Sequence, residues 1–95
     1  MLNELFNKIL DRKSNPRPGS YTNKLLDSHE DIILQKVGEE SVEVILAAKG
    51  QGNHRLVEEV ADLLYHTLVL LVRQGVSLAE VEAELRRRHA VREAK

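Results

Sequence analysis

HRLVEEVADLLYHTLVLLVRQ, residues 54–74, is the stretch on which the reading of the fold turns. Its apolar residues recur with the period of a helix, and nothing in it alternates like a strand. Placed at about 100° per residue, Arg55, Glu59, Asp62, His66 and Arg73 fall on one narrow stripe. Leu56, Val57, Val60, Leu63, Leu64, Leu68, Leu71 and Val72 cover well over half of the remaining circumference. A helix lying on a single neighbour needs an apolar stripe of only about 100°. This helix is therefore central, either in its own domain or in an oligomer. Little chain is left to cover it, so a homodimer that completes the core is expected.

Punctuation on both sides supports further helices. Gly75 ends the segment, and Asn53 is the expected N-cap. Upstream, Ser28 to Lys49 is a second long helical segment, with Ser28 and Asp31 resembling a capping box and Gly50 as the stop. A first helix runs roughly from Leu2 to Arg12, with Leu2, Leu5, Phe6, Ile9 and Leu10 on one face. Asn15-Pro16-Arg17-Pro18-Gly19 breaks it, and Ser20-Tyr21-Thr22 opens a short helical turn through Leu26. Downstream, Ser77 and Glu80 form a capping box for a last helix to about Arg92. The short connections favour antiparallel neighbours. No stretch has the length or composition of a linker, so residues 1–95 read as a single all-α domain.

Composition narrows the function. Charged residues make up 31% of the chain and hydrophobic residues 42%, an ordinary globular balance. Aromatics are 3% with no Trp, so aliphatic side chains must build the core. A net charge of −1 advertises neither nucleic-acid nor membrane binding. With no Cys there are no disulfides and no Cys-based zinc site. The start, Met1-Leu2-Asn3-Glu4-Leu5, does not read as a signal peptide, and the longest apolar run, Leu68 to Val72, is far short of a membrane span. A cytoplasmic protein is expected.

Acidic residues interrupt the two apolar helices at matching places. Glu40 and Glu43 are three residues apart, Glu39 and Glu43 four apart, and each pair shares a helix face. Glu59 and Asp62 repeat the three-residue spacing on the next helix. Like charges so placed repel. Either pair alone would read as a solvated helix face. Both pairs sit on consecutive and heavily apolar helices joined by a short loop, so both can face one cleft. Carboxylates gathered between apolar walls are costly without a cation. All-oxygen ligation suits magnesium, manganese or calcium rather than zinc, and magnesium favours phosphate chemistry.

The strings around these acids resemble a known family. Glu40-x-x-Glu43 followed by Glu59-x-x-Asp62 is the ExxE…ExxD pattern of the all-α NTP pyrophosphatases, the MazG-like superfamily. Ser20-Tyr21-Thr22-x-Lys24-Leu25, Gln35-Lys36-Val37-Gly38-Glu39-Glu40, Ala47-Ala48-Lys49 and Glu58-Glu59-x-Ala61-Asp62-Leu63-Leu64-Tyr65-His66 look like phosphoribosyl-ATP pyrophosphohydrolase, the HisE family. The likeness runs from Leu2 to about His89. It implies a four- to five-helix bundle completed by dimerisation. It also implies hydrolysis of phosphoribosyl-ATP to phosphoribosyl-AMP and pyrophosphate, the second step of histidine biosynthesis. Glu40, Glu43, Glu59 and Asp62 would hold Mg2+ and so activate water, with Glu39 or Glu43 as general base. The fused form of the family carries a Cys-containing zinc partner, so a chain without Cys implies the monofunctional form.

An acidic pocket needs cations to admit a triphosphate. Lys36 lies on the side of Glu39, Glu40 and Glu43; Lys24 sits in the Ser-Tyr-Thr segment; Lys49 ends its helix. These are the substrate-contact candidates, against solvated surface charges. His66, one turn past Asp62, is a candidate to meet phosphate or to orient Asp62, against a partly buried histidine satisfied by hydrogen bonds. Arg73 is expected to face solvent, and Arg86-Arg87-Arg88-His89 to complement a helix C-terminus rather than bind nucleic acid. Two other readings compete: a MazG-like house-cleaning enzyme acting on ordinary nucleoside triphosphates, and a non-catalytic helical dimerisation module.

Overall fold

A computed structural model describes residues 1–94 as five helices: α1 (Leu2–Ser14), α2 (Tyr21–Asp27), α3 (Glu30–Gly50), α4 (Asn53–Gln74) and α5 (Leu78–Ala94). The two-residue connection Gln51-Gly52 folds α4 back along α3, and this hairpin is the frame of the molecule. α1 and α2 lie against α4. The core is aliphatic with one aromatic: Phe6 and Ile9 from α1, Leu25 from α2, Ile33 from α3, Leu68, Val69 and Val72 from α4, and Leu78 from the start of α5. It occupies the half of α4 away from the α3–α4 turn.

Helix boundaries follow local chemistry, with two departures from the sequence reading. Ser28 does not cap α3. It follows the last residue of α2, and its hydroxyl donates to Leu25 O at 2.8 Å. His29 takes the cap instead, its Nδ1 accepting from the Asp31 amide at 3.1 Å. Likewise Asn53 is the first residue of α4, and Gly52 precedes it with φ +87°, a conformation closed to most side chains. Gly75 ends α4 as expected: its φ is +74°, and the Val76 amide reaches back to Leu71 O at 3.0 Å. Ser77 and Glu80 make the reciprocal capping box, at 3.2 Å from the Glu80 amide to Ser77 Oγ and 2.7 Å from the Ser77 amide to Glu80 Oε2.

Arg73 is not turned to solvent. It donates to the carbonyls of Leu25 and Leu26 at 2.8 and 3.0 Å, satisfying the C-terminal end of α2. Asn23, buried in α2, accepts from the Arg17 amide at 2.8 Å and donates to Arg12 O at 2.7 Å. It thereby ties the Pro-rich loop to the end of α1.

Much apolar surface stays outside this core. Val57, Val60 and Leu64 on α4, and Leu34, Val42, Ile45 and Leu46 on α3, are exposed. Past Leu78, no described residue of α5 is buried; Val81, Leu85 and Val91 are open. The radius of gyration, 15.2 Å, exceeds the roughly 12 Å of a compact chain this long. Among the described residues, no helix is long and apolar enough to cross a membrane.

Candidate active site

The two acidic pairs meet because α3 and α4 run side by side from a two-residue turn. Glu39, Glu40 and Glu43 project from α3, and Glu59 and Asp62 from α4, into one open pocket of about 490 Å³ that Lys36 and Arg55 complete. Within it, Glu40, Glu59 and Asp62 each bring a carboxylate oxygen within 4.8 Å of the other two. Glu39 and Glu43 line the same pocket but stand outside that close group.

The electrostatics of the group are unfavourable as it stands. Glu59 is buried at 5% exposure, Glu40 is half-buried and Asp62 is exposed. Burial, with Asp62 and Glu59 alongside, holds the Glu40 carboxyl above the ordinary carboxylate range. His66 opposes that shift, more weakly. Glu59 escapes isolation through Arg55, whose Nη2 donates to Glu59 Oε1 at 2.5 Å, one turn earlier on the same helix. Arg55 Nη1 also reaches Glu58 Oε1 at 3.3 Å.

These residues fit a hard divalent cation. The donors are all carboxylate oxygens, the set preferred by magnesium, manganese and calcium. Ligands on opposite sides of a magnesium ion stand about 4.2 Å apart at its usual bond length. The observed oxygens need draw together by little to reach that spacing, and a cation would remove the repulsion that holds them apart.

The other sequence candidates fall in different places. Lys36 lines the acidic pocket. Lys24 does not; it borders a separate groove with Arg17, Ser20, Asn23 and Asp27. Lys49 is exposed near the C-terminal end of α3, outside both. His66 is buried, with both ring nitrogens engaged: Nδ1 lies 2.8 Å from the Asp62 carbonyl oxygen and Nε2 lies 3.0 Å from the Tyr21 hydroxyl. A carbonyl only accepts, so Nδ1 carries a proton and donates to it. Beside this pair, Thr22 Oγ1 and the Tyr65 hydroxyl are 2.5 Å apart. The Ser-Tyr-Thr segment is thus fastened to α4 immediately behind the acidic group.

Two contributors escaped the sequence reading. Arg55 lies on the acidic stripe, and its four-residue spacing to Glu59 is the ordinary signal of an ion pair. Tyr21 had no such signal, because its partner is 45 residues away and only the packing of α2 on α4 brings them together.

Comparison with known proteins shows the family of the chain. The family model described as Phosphoribosyl-ATP pyrophosphohydrolase matches residues 2–89. A phosphoribosyl-ATP pyrophosphatase of Listeria welshimeri is 57% identical over 88 residues, 93% of this chain and 84% of the relative. One from Streptococcus thermophilus is 52% identical over 88 residues, 93% and 85% of the two chains. One from Clostridium acetobutylicum is 48% identical over 89 residues, 94% and 81% of the two. All five carboxylates, Lys36, His66 and Arg55 fall within the matched span, and the chain belongs to the phosphoribosyl-ATP pyrophosphohydrolase family.

Proposed function

We propose that this protein hydrolyses phosphoribosyl-ATP to phosphoribosyl-AMP and pyrophosphate, the second step of histidine biosynthesis, with Mg2+ as its cation. The observation that carries the reading is the close group of Glu40, Glu59 and Asp62 in a chain of this family. Glu43 stands ready to complete the ligand set from α3. When bound, the cation would neutralise phosphate oxygens and make a coordinated water more acidic.

The chain's own residues supply the rest. Glu39 and Glu43 line the pocket outside the close group, and one of them would accept a proton from an attacking water. Lys36 is the lysine that lines the pocket and is assigned to phosphate. Lys24 and Lys49, farther off, are left for parts of the substrate beyond the triphosphate. His66 holds the Asp62 peptide from behind, and its Tyr21 bond fixes the orientation of the ring. Residues 1–95 act as one catalytic domain on this reading, in the cytoplasm.

The same reading includes a homodimer. The exposed apolar faces of α3, α4 and α5 support it, because a lone chain would leave them in water.

Pyrophosphate release is the test, assayed on phosphoribosyl-ATP against a panel of ordinary nucleoside triphosphates. The expected result is Mg2+-dependent release from phosphoribosyl-ATP, abolished by chelation and by Glu59→Gln. Preference for an ordinary nucleoside triphosphate would transfer the chain to the MazG-like reading. Full activity in Glu59→Gln would overturn the ligand assignment.

A further inference from the structure

We infer that Arg55 is an exchangeable place-holder: its guanidinium neutralises Glu59 before a cation arrives, then releases that carboxylate and turns to the phosphates of the substrate. The inference rests on the metal reading above and adds a second state of the site.

Three observations carry it. First, Glu59 is the most buried of the pocket carboxylates, and Arg55 is its ion-pair partner, bonded through Oε1. Glu59 also belongs to the close group that fits a cation. A buried carboxylate oxygen in a strong charge-assisted bond to a guanidinium is poorly available to a metal ion, so the two cations compete for one ligand. Second, Arg55 itself is half-exposed at the mouth of the pocket, in the first turn of α4. Its head also reaches Glu58 Oε1 at 3.3 Å, and because Glu58 is exposed, release from Glu59 would leave Arg55 held only by a weak, solvent-screened partner. Third, the pocket's charge demands more cation than it holds. Glu39, Glu40, Glu43, Glu59 and Asp62 face Lys36 and Arg55 alone.

Releasing Arg55 has a chemical use. A guanidinium presents a planar fork that matches two oxygens of one phosphate, which the ammonium of Lys36 cannot do. Freed from Glu59, it stands at the rim where a polyphosphate must enter. The exchange also orders events. Without metal, Arg55 is occupied and the pocket repels anions; with metal, the same residue becomes an anion receptor. The class of ligand it would take is a polyphosphate already carrying a divalent cation.

Calorimetry on the full chain tests this with two probes, Mg2+ alone and inorganic tripolyphosphate in the presence of Mg2+. Arg55→Gln is expected to bind Mg2+ on the order of tenfold more tightly than the unaltered protein, the competitor being gone. The same variant is expected to bind tripolyphosphate on the order of tenfold more weakly. Arg55→Lys keeps the charge and loses the fork, so it should weaken tripolyphosphate with little change in Mg2+ affinity. The Nε–Hε resonance of Arg55, followed by NMR, should move on adding Mg2+ and move again with tripolyphosphate. Mg2+ affinity unchanged or weakened in Arg55→Gln, or an Arg55 resonance indifferent to both probes, would mean a static ion pair and overturn the inference while leaving the metal site intact. If the unaltered protein bound no Mg2+, or Glu59→Gln bound it equally well, the metal reading itself would fall, and the exchange with it.

Discussion

Glu40 shows how one residue can report the state of the whole site. Its carboxyl is held above the ordinary range by burial and by Asp62 and Glu59, so the folded metal-free chain binds that proton more tightly than the unfolded chain does. The stabilisation from this proton is complete below the unfolded carboxylate value and is lost as pH rises through the raised, folded value. Metal-free protein should therefore show a melting temperature that falls with rising pH across that window. Glu40→Gln, which mimics the protonated side chain, should flatten the dependence. Mg2+ needs the ionised form, so its stabilising effect should grow across the same window. Thermal melts at several pH values, with chelator and with Mg2+, measure both.

Asn23 is a second informative residue, and a structural one. Its amide satisfies one backbone donor and one backbone acceptor from the loop and from α1. Asn23→Ala would strand both groups and should cost about 2 kcal/mol in chemical denaturation, while leaving Mg2+ binding in place. Neither Asn23 nor Tyr21 was legible in the sequence, because each acts on a partner that only the folded chain delivers. Glu40, Glu43, Glu59 and Asp62 were legible, because helical spacing alone puts each pair on one face. The spacing could not say that Glu43 stands apart from the other three, since that depends on the rotation of α3 against α4.

Among the elements, the end of α4 is set by its glycine. Gly75 sits at φ +74°, and a Cβ placed there would meet nothing within 4 Å. The cost of Gly75→Ala is therefore a backbone cost, about 1 kcal/mol, without a steric component. Measured stability should fall by about that amount, and a loss several times larger would mean that α5 is being displaced as well. The start of α3 teaches the opposite lesson. Ser28 has the residue type and spacing of a cap, yet the C-terminal carbonyl of α2 claims its hydroxyl, and His29 replaces it. Cap propensity is a local preference, and here a neighbouring helix end one residue away outbids it.

The whole molecule is built on an α3–α4 hairpin that gathers the acids into one pocket and leaves many apolar residues exposed. Homodimerisation through the apolar side is the expected outcome, and sedimentation equilibrium or light scattering would measure it. Val57→Glu combined with Leu64→Glu should give a monomer or an unfolded chain, since both residues are exposed in the isolated protomer and central to the apolar stripe. A stable monomeric parent protein would contradict the dimer. The sequence reading of α4 as too apolar for one neighbour agrees with this surface: α1, α2 and α3 together cover only part of it.

Sequence alone determined the helical class, most helix limits and which acids share a helix face, because each depends on periodicity within one segment or on residues a turn apart. It also determined the family, because the distinctive strings run through nearly the whole chain. Tertiary structure alone decided which carboxylates converge, that His66 turns inward onto the Asp62 peptide, that Arg73 serves α2, and that Lys24 borders a different groove from Lys36. Each of those depends on the relative rotation and depth of packed helices, which is set by contacts between residues distant in the chain and leaves no periodic trace in it.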